Sequence, residues 1–158
     1  MTLDPATFRA VLGRLASGVS VITLAGNDGR DHGITVTALC SLSIDPPLLL
    51  ACVDRTATVY PHLSAASHFA VNLLSSDQET LSRRFAETRE DRFDGVAFER
   101  GASGIALLDH ALAHIECSMW AHHDGGDHTV FVGRVTHAAA RDGQPLVYYL
   151  GRYRDLRP

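Results

Sequence analysis

The chain has 158 residues, 46% hydrophobic and 20% charged, with a formal net charge of -4. That size predicts one domain, 1–158, burying roughly two thirds of the surface its unfolded form exposes. No apolar run approaches the roughly 18 residues that cross a bilayer, no basic segment leads into an apolar one at the start, and the arginines are scattered, so membrane, export and nucleic acid are not expected. Cys40, Cys52 and Cys117 are far apart, odd in number and without a C-x-x-C pair, which predicts free thiols in a reducing cytoplasm. The chain has no lysine, which removes Schiff-base chemistry and the P-loop lysine.

Asp4-Pro5 followed by Phe8, Val11, Leu12 and Leu15 predicts an N-capped amphipathic helix ended by Gly18. Val19 to Ala25 is β-branched and apolar, and Gly26-Asn27-Asp28-Gly29 turns it into a return strand. That return, 33–47, alternates apolar and hydroxyl residues. Period 2 sets Ile34, Val36 and Ala38 on one face and Thr35, Thr37 and Leu39 on the other, until Asp45-Pro46-Pro47 ends the ladder. Leu48 to Val53 reads as a strand buried on both faces, broken by Asp54 to Thr58. Thr58 to Ala66 is weakly helical, His68 to Leu74 is a strand, and Ser76 and Glu79 are spaced as a capping box for a helix carrying Leu81 and Phe85. After a charged loop through Arg92, Ala111 to His123 and Asp127 to Ala139 form two long strands joined by Asp124-Gly125-Gly126, and Leu146 to Leu150 is the last strand before Tyr153. Hairpin-linked strands with few helices predict a mainly β, closed or nearly closed antiparallel barrel with peripheral helices. A doubly wound parallel sheet is disfavoured, because strand–helix alternation and a G-x-G-x-x-G turn are missing.

Three motifs invite chemistry. Gly101-Ala102-Ser103-Gly104-Ile105 departs from a nucleophile elbow at its last position. His122, Asp127 and His128 gather imidazole and carboxylate at one turn, but adjacent His122 and His123 point to opposite faces of a strand, so a polar hairpin tip is the favoured reading over metal. The cysteines lie in apolar strands with no evident activating base. From pattern alone, the hydroxyls of Thr35, Thr37, Ser41 and Ser43 are either a solvated face or a small-ligand site.

Taken together, Ala16-Ser17-Gly18-Val19-Ser20-Val21-Ile22-Thr23, Gly33-Ile34-Thr35-Val36-Thr37-Ala38, Ser41 to Pro47, Phe69-Ala70-Val71-Asn72-Leu73, Arg84-Phe85-Ala86, Glu116-Cys117, Gly126-Asp127-His128 and Gly151-Arg152-Tyr153 resemble, in order and spacing, the flavin reductase-like family of short-chain NAD(P)H:flavin oxidoreductases. The resemblance runs from Phe8 to Tyr153. It implies an antiparallel, Greek-key-like split β-barrel that binds FMN or FAD, takes NADH or NADPH as hydride donor, works as a homodimer and serves a partner monooxygenase. A flavin carrier, or a flavin-dependent oxidative enzyme without NAD(P)H reductase activity, is the alternative on the same barrel. By resemblance, Thr35, Val36, Thr37 and Ala38 meet the isoalloxazine edge, Cys40 and Ser41 continue that wall, and Cys52, Val53 and Asp54 border the ribityl chain. Thr58 meets the 5′-phosphate with charge from Arg84, Phe85 covers the flavin or dinucleotide, His128 touches the nicotinamide, and Tyr153 contributes to the same pocket. Ala106 and His110 stand where the family often has proline and glycine, which predicts a different loop course on the nicotinamide side.

Overall fold

The computed structural model describes residues 3–156. In chain order the elements are α1 (Pro5–Leu12), β1 (Ser17–Gly18), β2 (Ser20–Ala25), β3 (Asp31–Val36), β4 (Leu39–Ser43), β5 (Leu48–Asp54), α2 (Tyr60–Ala65), β6 (His68–Leu73), α3 (Glu79–Ala86), β7 (Phe98–Arg100), β8 (Ala106–Leu108), β9 (Ala113–Gly125), β10 (His128–Ala140), β11 (Val147–Tyr149) and β12 (Arg152–Arg154). The fold is mainly β, and every described strand pair is antiparallel.

Seven strands make the principal sheet, in the order β3-β2-β6-β9-β10-β5-β4. Its two edge strands are consecutive in sequence and separated only by Thr37 and Ala38, which span at most about 11 Å from Val36 to Leu39. A flat sheet of this order would hold its edges roughly 29 Å apart. The sheet therefore curls until its edges approach. The stretch 33–47, expected as one strand, is two half-strands on opposite edges, hinged where the small exposed residues lie.

Inside the curl, Ile22, Leu24, Val36, Leu49, Ala51, Val53, Phe69, Val71 and Phe131 form one buried cluster. A second cluster, Val19, Val21, Leu74, Phe85, Leu108 and Leu146, lies beneath α3, so β2 is buried on both faces. Gly33 on β3 serves that second cluster: a Cβ there would come within 2.7 Å of the Phe85 ring. β5 was expected to be buried on both faces, but only Leu49, Ala51 and Val53 are, and the alternate residues are half-buried. Their face carries the candidate site.

Asp4 caps α1, accepting from the amides of Ala6 at 2.9 Å and Thr7 at 3.1 Å. The helix stops at Gly13 rather than Gly18, since glycine is the poorest helix former in the stretch. Its apolar stripe stays in water: Phe8, Val11, Leu12 and Leu15 are 52%, 57%, 48% and 67% exposed. The capping box ahead of α3 is one residue earlier than expected, with the Ser75 amide donating to Gln78 Oε1 at 3.0 Å. The β7–β8 hairpin carries no pattern in the sequence, its strands being three residues each.

Candidate functional site

Antiparallel register gathers five of the expected site residues on one face. Cys52 pairs with Val130 and Asp54 with His128, while Cys40 pairs with Leu50 and the Cys52 amide donates to the Ala38 carbonyl at 2.9 Å. Residues across a ladder share a face, so Ala38, Cys40, Cys52, Asp54 and His128 stand on the side of the sheet away from Ala51, Val53 and Phe131. Thr37, Ala38, Cys40 and Ser41 are exposed, and the amides of Thr37 and Ala38 lie outside both ladders. Small side chains and unladdered amides suit the edge of a planar heterocycle that both donates and accepts hydrogen bonds. Val36 and Val53 point into the core, so only their backbone can border a ligand here.

His128 opens β10 directly after the hairpin turn. The turn is the two residues Gly126-Asp127 rather than the expected Asp124-Gly125-Gly126; positive φ (76°) at Gly126 alone is the pattern of a two-residue II′ turn. Asp127 Oδ1 lies 2.7 Å from His128 Nδ1. A carboxylate only accepts, so the proton sits on Nδ1. The hairpin tip is tied to the end of β5, where the Arg55 amide donates to the Asp127 carbonyl at 3.1 Å and the Arg55 guanidinium pairs with Asp124. Asp54 caps its own turn, accepting from the Thr56 amide at 2.7 Å and the Thr56 hydroxyl at 2.8 Å, and these donors hold its carboxyl below the usual range.

Thr58 faces a different space, a polar cavity of about 880 Å³ bounded by Asp28, His32, Gly33, His62 and Arg92. The cation beside Thr58 is Arg92, not Arg84. Arg92 is buried and donates to Gly33 O at 2.8 Å, Glu87 O at 2.8 Å and Thr58 Oγ1 at 3.1 Å, and burial pulls its pKa down. Among the described residues no carboxylate pairs with it, so an anion arriving at Thr58 meets an uncompensated buried charge. Arg84 is spent on backbone, donating to the carbonyls of Arg92 and Asp91 at 2.7 Å and of Asp94 at 2.5 Å. The sequence offered Arg92 as one more charge in a charged loop, and nothing in its spacing marks it.

The remaining expected residues surround α3. Thr35 gives its hydroxyl proton to Ser82 O at 2.7 Å, so Thr35 and Thr37 do not project together as a pair of free hydroxyls. Tyr153 shares a 2.8 Å hydrogen bond with Ser82 Oγ, and the Arg83 guanidinium lies 4.8 Å over its ring. Phe85 is fully buried, edge-on to Phe93 at 5.0 Å. It is a core residue in this structure and covers no cavity. The Ser82 and Phe85 side of α3 thus draws Thr35, Phe85 and Tyr153 into packing, while Arg84 holds the loop at 91–94.

The other motifs resolve into structure. The Ser103 hydroxyl donates to buried Glu116, as do the amides of Ala102 at 3.0 Å and Ser103 at 2.7 Å, so this serine holds a turn. Burial pushes the Cys117 thiol up to about 12 and also raises Cys52, which makes neither a nucleophile. His122 pairs with core-facing Phe131 and stands opposite in face to His128, so His122, Asp127 and His128 do not converge. The His110 loop is a tight turn ahead of β9, with His110 at φ 63° and its carbonyl accepting from Ser75 Oγ at 3.0 Å. His128 pairs at the far end of that strand, with Gly125. Roughly 40 Å of strand separates the two, so the loop does not intervene at His128.

The sequence profile described as "Flavin reductase like domain" matches residues 12–157. The FMN reductase (NADH) SmoA of Agrobacterium fabrum is 42% identical over 148 residues, covering 93% of this chain and 83% of its own. The flavin-dependent monooxygenase reductase subunit HsaB of Rhodococcus jostii is 36% identical over 157 residues, covering 99% and 80%. Among solved structures, the NADH:FAD oxidoreductase SgcE6 of Streptomyces globisporus C-1027, in complex with NAD and FAD fragments, superposes with a TM-score of 0.93 at 35% identity, covering 100% of this chain and 98% of that one. With a profile spanning nearly its whole length and relatives at this identity and coverage, the chain belongs to the flavin reductase-like family.

Proposed function

We propose that this protein is an NAD(P)H:flavin oxidoreductase that reduces FMN or FAD and hands the reduced flavin to a partner monooxygenase in the cytoplasm. The observation that carries the reading is the shared sheet face of Ala38, Cys40, Cys52, Asp54 and His128 in a chain of this family. Bound flavin supplies the hydride-accepting ring, and the protein's part is to hold two rings in contact. The amides of Thr37 and Ala38 bind the polar edge, while Ser41, opposite Leu49 in the β4–β5 ladder, stands on the other face of the sheet. Thr58 and Arg92 take the phosphate. His128, its Nδ1 fixed by Asp127, presents the Nε2 lone pair to the nicotinamide carboxamide and orients that ring.

The curled sheet, with its edges joined through Thr37 and Ala38, is read as the split barrel of such reductases. The working unit is a homodimer. Supporting this, the apolar stripe of α1 and Leu42, Ile44 and Trp120 are all exposed, and an apolar groove of about 540 Å³ lies between Leu39, Leu48, Leu74 and Leu146. That is a large uncovered apolar area for one small chain, and a second copy supplies matching surface.

Steady-state oxidation of NADH and NADPH with FMN, FAD and riboflavin tests the activity. Flavin-dependent consumption of either nucleotide is expected. Loss of neither nucleotide with any flavin refutes the reductase reading, and a retained yellow flavin untouched by NADH transfers the assignment to the carrier alternative.

A further inference from the structure

Asp28, His32 and His62 form a cluster that the flavin and nicotinamide reading leaves unused. They come from three elements: the β2–β3 turn, β3 and α2. Their candidate ligand atoms all lie within 4.8 Å of one another. His32 Nε2 is 3.0 Å from Asp28 Oδ1 and 3.1 Å from Oδ2. Two ligands of a tetrahedral zinc shell, at about 2.0–2.1 Å from the ion, stand roughly 3.3 Å apart, so this pair already has the spacing of two corners.

The cluster is also accommodated by its surroundings. Gly26 does not carry positive φ, yet a Cβ there would fall 2.5 Å from Asp28 Oδ1 and 2.6 Å from His32 Nε2. With glycine at 26, carboxylate and imidazole keep these positions, and a Cβ there would make their side-chain ends shift. His62 lies parallel over His32, with ring centroids 3.6 Å apart and 17° between planes. Ligation uses the in-plane lone pair, so the His62 ring must turn about its Cβ–Cγ bond by a rotamer change, on a short helix anchored by buried Leu63 while Tyr60, Pro61, Ser64 and Ala65 are exposed or half-buried. Asp28 is exposed and both histidines are half-buried, which gives an ion a path from solvent.

We propose that Asp28, His32 and His62 bind one divalent transition-metal ion of the zinc class, clipping the β2–β3 turn to α2 beside the polar cavity. Two imidazoles and one carboxylate select zinc, cobalt, nickel or copper over magnesium or calcium, which prefer all-oxygen shells. Three protein ligands leave a fourth position for water.

The test is titration of the tag-free, chelator-treated full chain with Zn²⁺ by calorimetry and with Co²⁺ by visible absorption. One ion per chain is expected, with a rise in melting temperature, tetrahedral Co²⁺ bands, and at least tenfold weaker binding in both His62→Gln and His32→Gln. Asp28→Asn, on an exposed turn where folding is not at stake, is expected to weaken binding as well, whereas His122→Ala at the distant hairpin leaves it unchanged. No saturable one-to-one binding, binding that survives His32→Gln with His62→Gln, or binding lost in His122→Ala overturns the proposal.

Discussion

His128 stands opposite Asp54 in the β10–β5 ladder with its Nδ1 engaged by Asp127 at 2.7 Å, so Nε2, unbonded among the described residues, is the atom it offers a ligand. An acceptor at that point suits the amide protons of a nicotinamide carboxamide. Replacing His128 with alanine is expected to raise the apparent KM for NADH about tenfold, the loss of one hydrogen bond worth roughly 1.4 kcal/mol, with the flavin Kd within about twofold of wild type. An unchanged KM for the nucleotide places the nicotinamide elsewhere.

Arg92 tests the phosphate site. Its guanidinium is buried against neutral acceptors, so a phosphate at Thr58 gains a partner that no carboxylate competes for. Arg92→Met is expected to weaken FMN binding about tenfold or more while leaving riboflavin, which lacks the phosphate, nearly unaffected. Equal weakening of both flavins by fluorescence titration assigns Arg92 to packing alone.

Long-range order in this chain was legible where pattern carries it. The N-cap at Asp4, strand β2 and the β9–β10 hairpin follow from local chemistry that neighbours reinforce, whereas the break at Thr37–Ala38 falls inside what the alternation reads as one strand. What pattern does not carry is which way a half-buried side chain turns. Thr35, Phe85 and Tyr153 bear residue types suited to a ligand pocket, but Ser82 of α3 takes the hydroxyls of Thr35 and Tyr153 and the helix turns Phe85 into the core. Arg84 and Arg92 are indistinguishable in sequence, and only the course of the loop at 87–94 decides which is buried beside Thr58.

Glu116 gives a pH signature. Burial pushes its carboxyl up, but the Ser103 hydroxyl and the amides of Ser103 and Ala102 outweigh this, and its folded pKa lies below the ordinary value. A depressed carboxyl contributes stability that is fully present above the unfolded pKa of about 4.3 and is lost as pH falls through the folded pKa. Glu116→Gln is expected to flatten the acid limb of a plot of urea-unfolding free energy against pH. At neutral pH it lowers stability by roughly 1–3 kcal/mol, since an amide oxygen replaces a charged acceptor. An acid limb identical to wild type removes Glu116 from that linkage.

Gly33 is tested by one added carbon. A Cβ would sit 2.7 Å from Phe85 Cε1, and that ring is enclosed by the second core cluster and cannot retreat. Gly33→Ala is expected to cost about 1–3 kcal/mol in chemical unfolding, the range for overpacking a filled core. Gly18→Ala, where a Cβ meets nothing within 4 Å, is the matched control.

The homodimer makes the most exposed prediction. Leu15 is 67% and Ile44 95% exposed, so neither contributes much to packing within one chain, and a charge at either position leaves the monomer fold nearly intact. Within an interface each would be desolvated, where an unpaired charge costs several kcal/mol. Wild type is expected to sediment as a dimer at micromolar concentration. Leu15→Glu with Ile44→Glu is expected to shift it to monomer, with its circular-dichroism spectrum unchanged and its reductase activity reduced at concentrations where dimer is absent. A wild-type chain that sediments as a monomer leaves the apolar stripe of α1 without a second copy to cover it. A double variant that remains dimeric moves the interface to another face of the sheet.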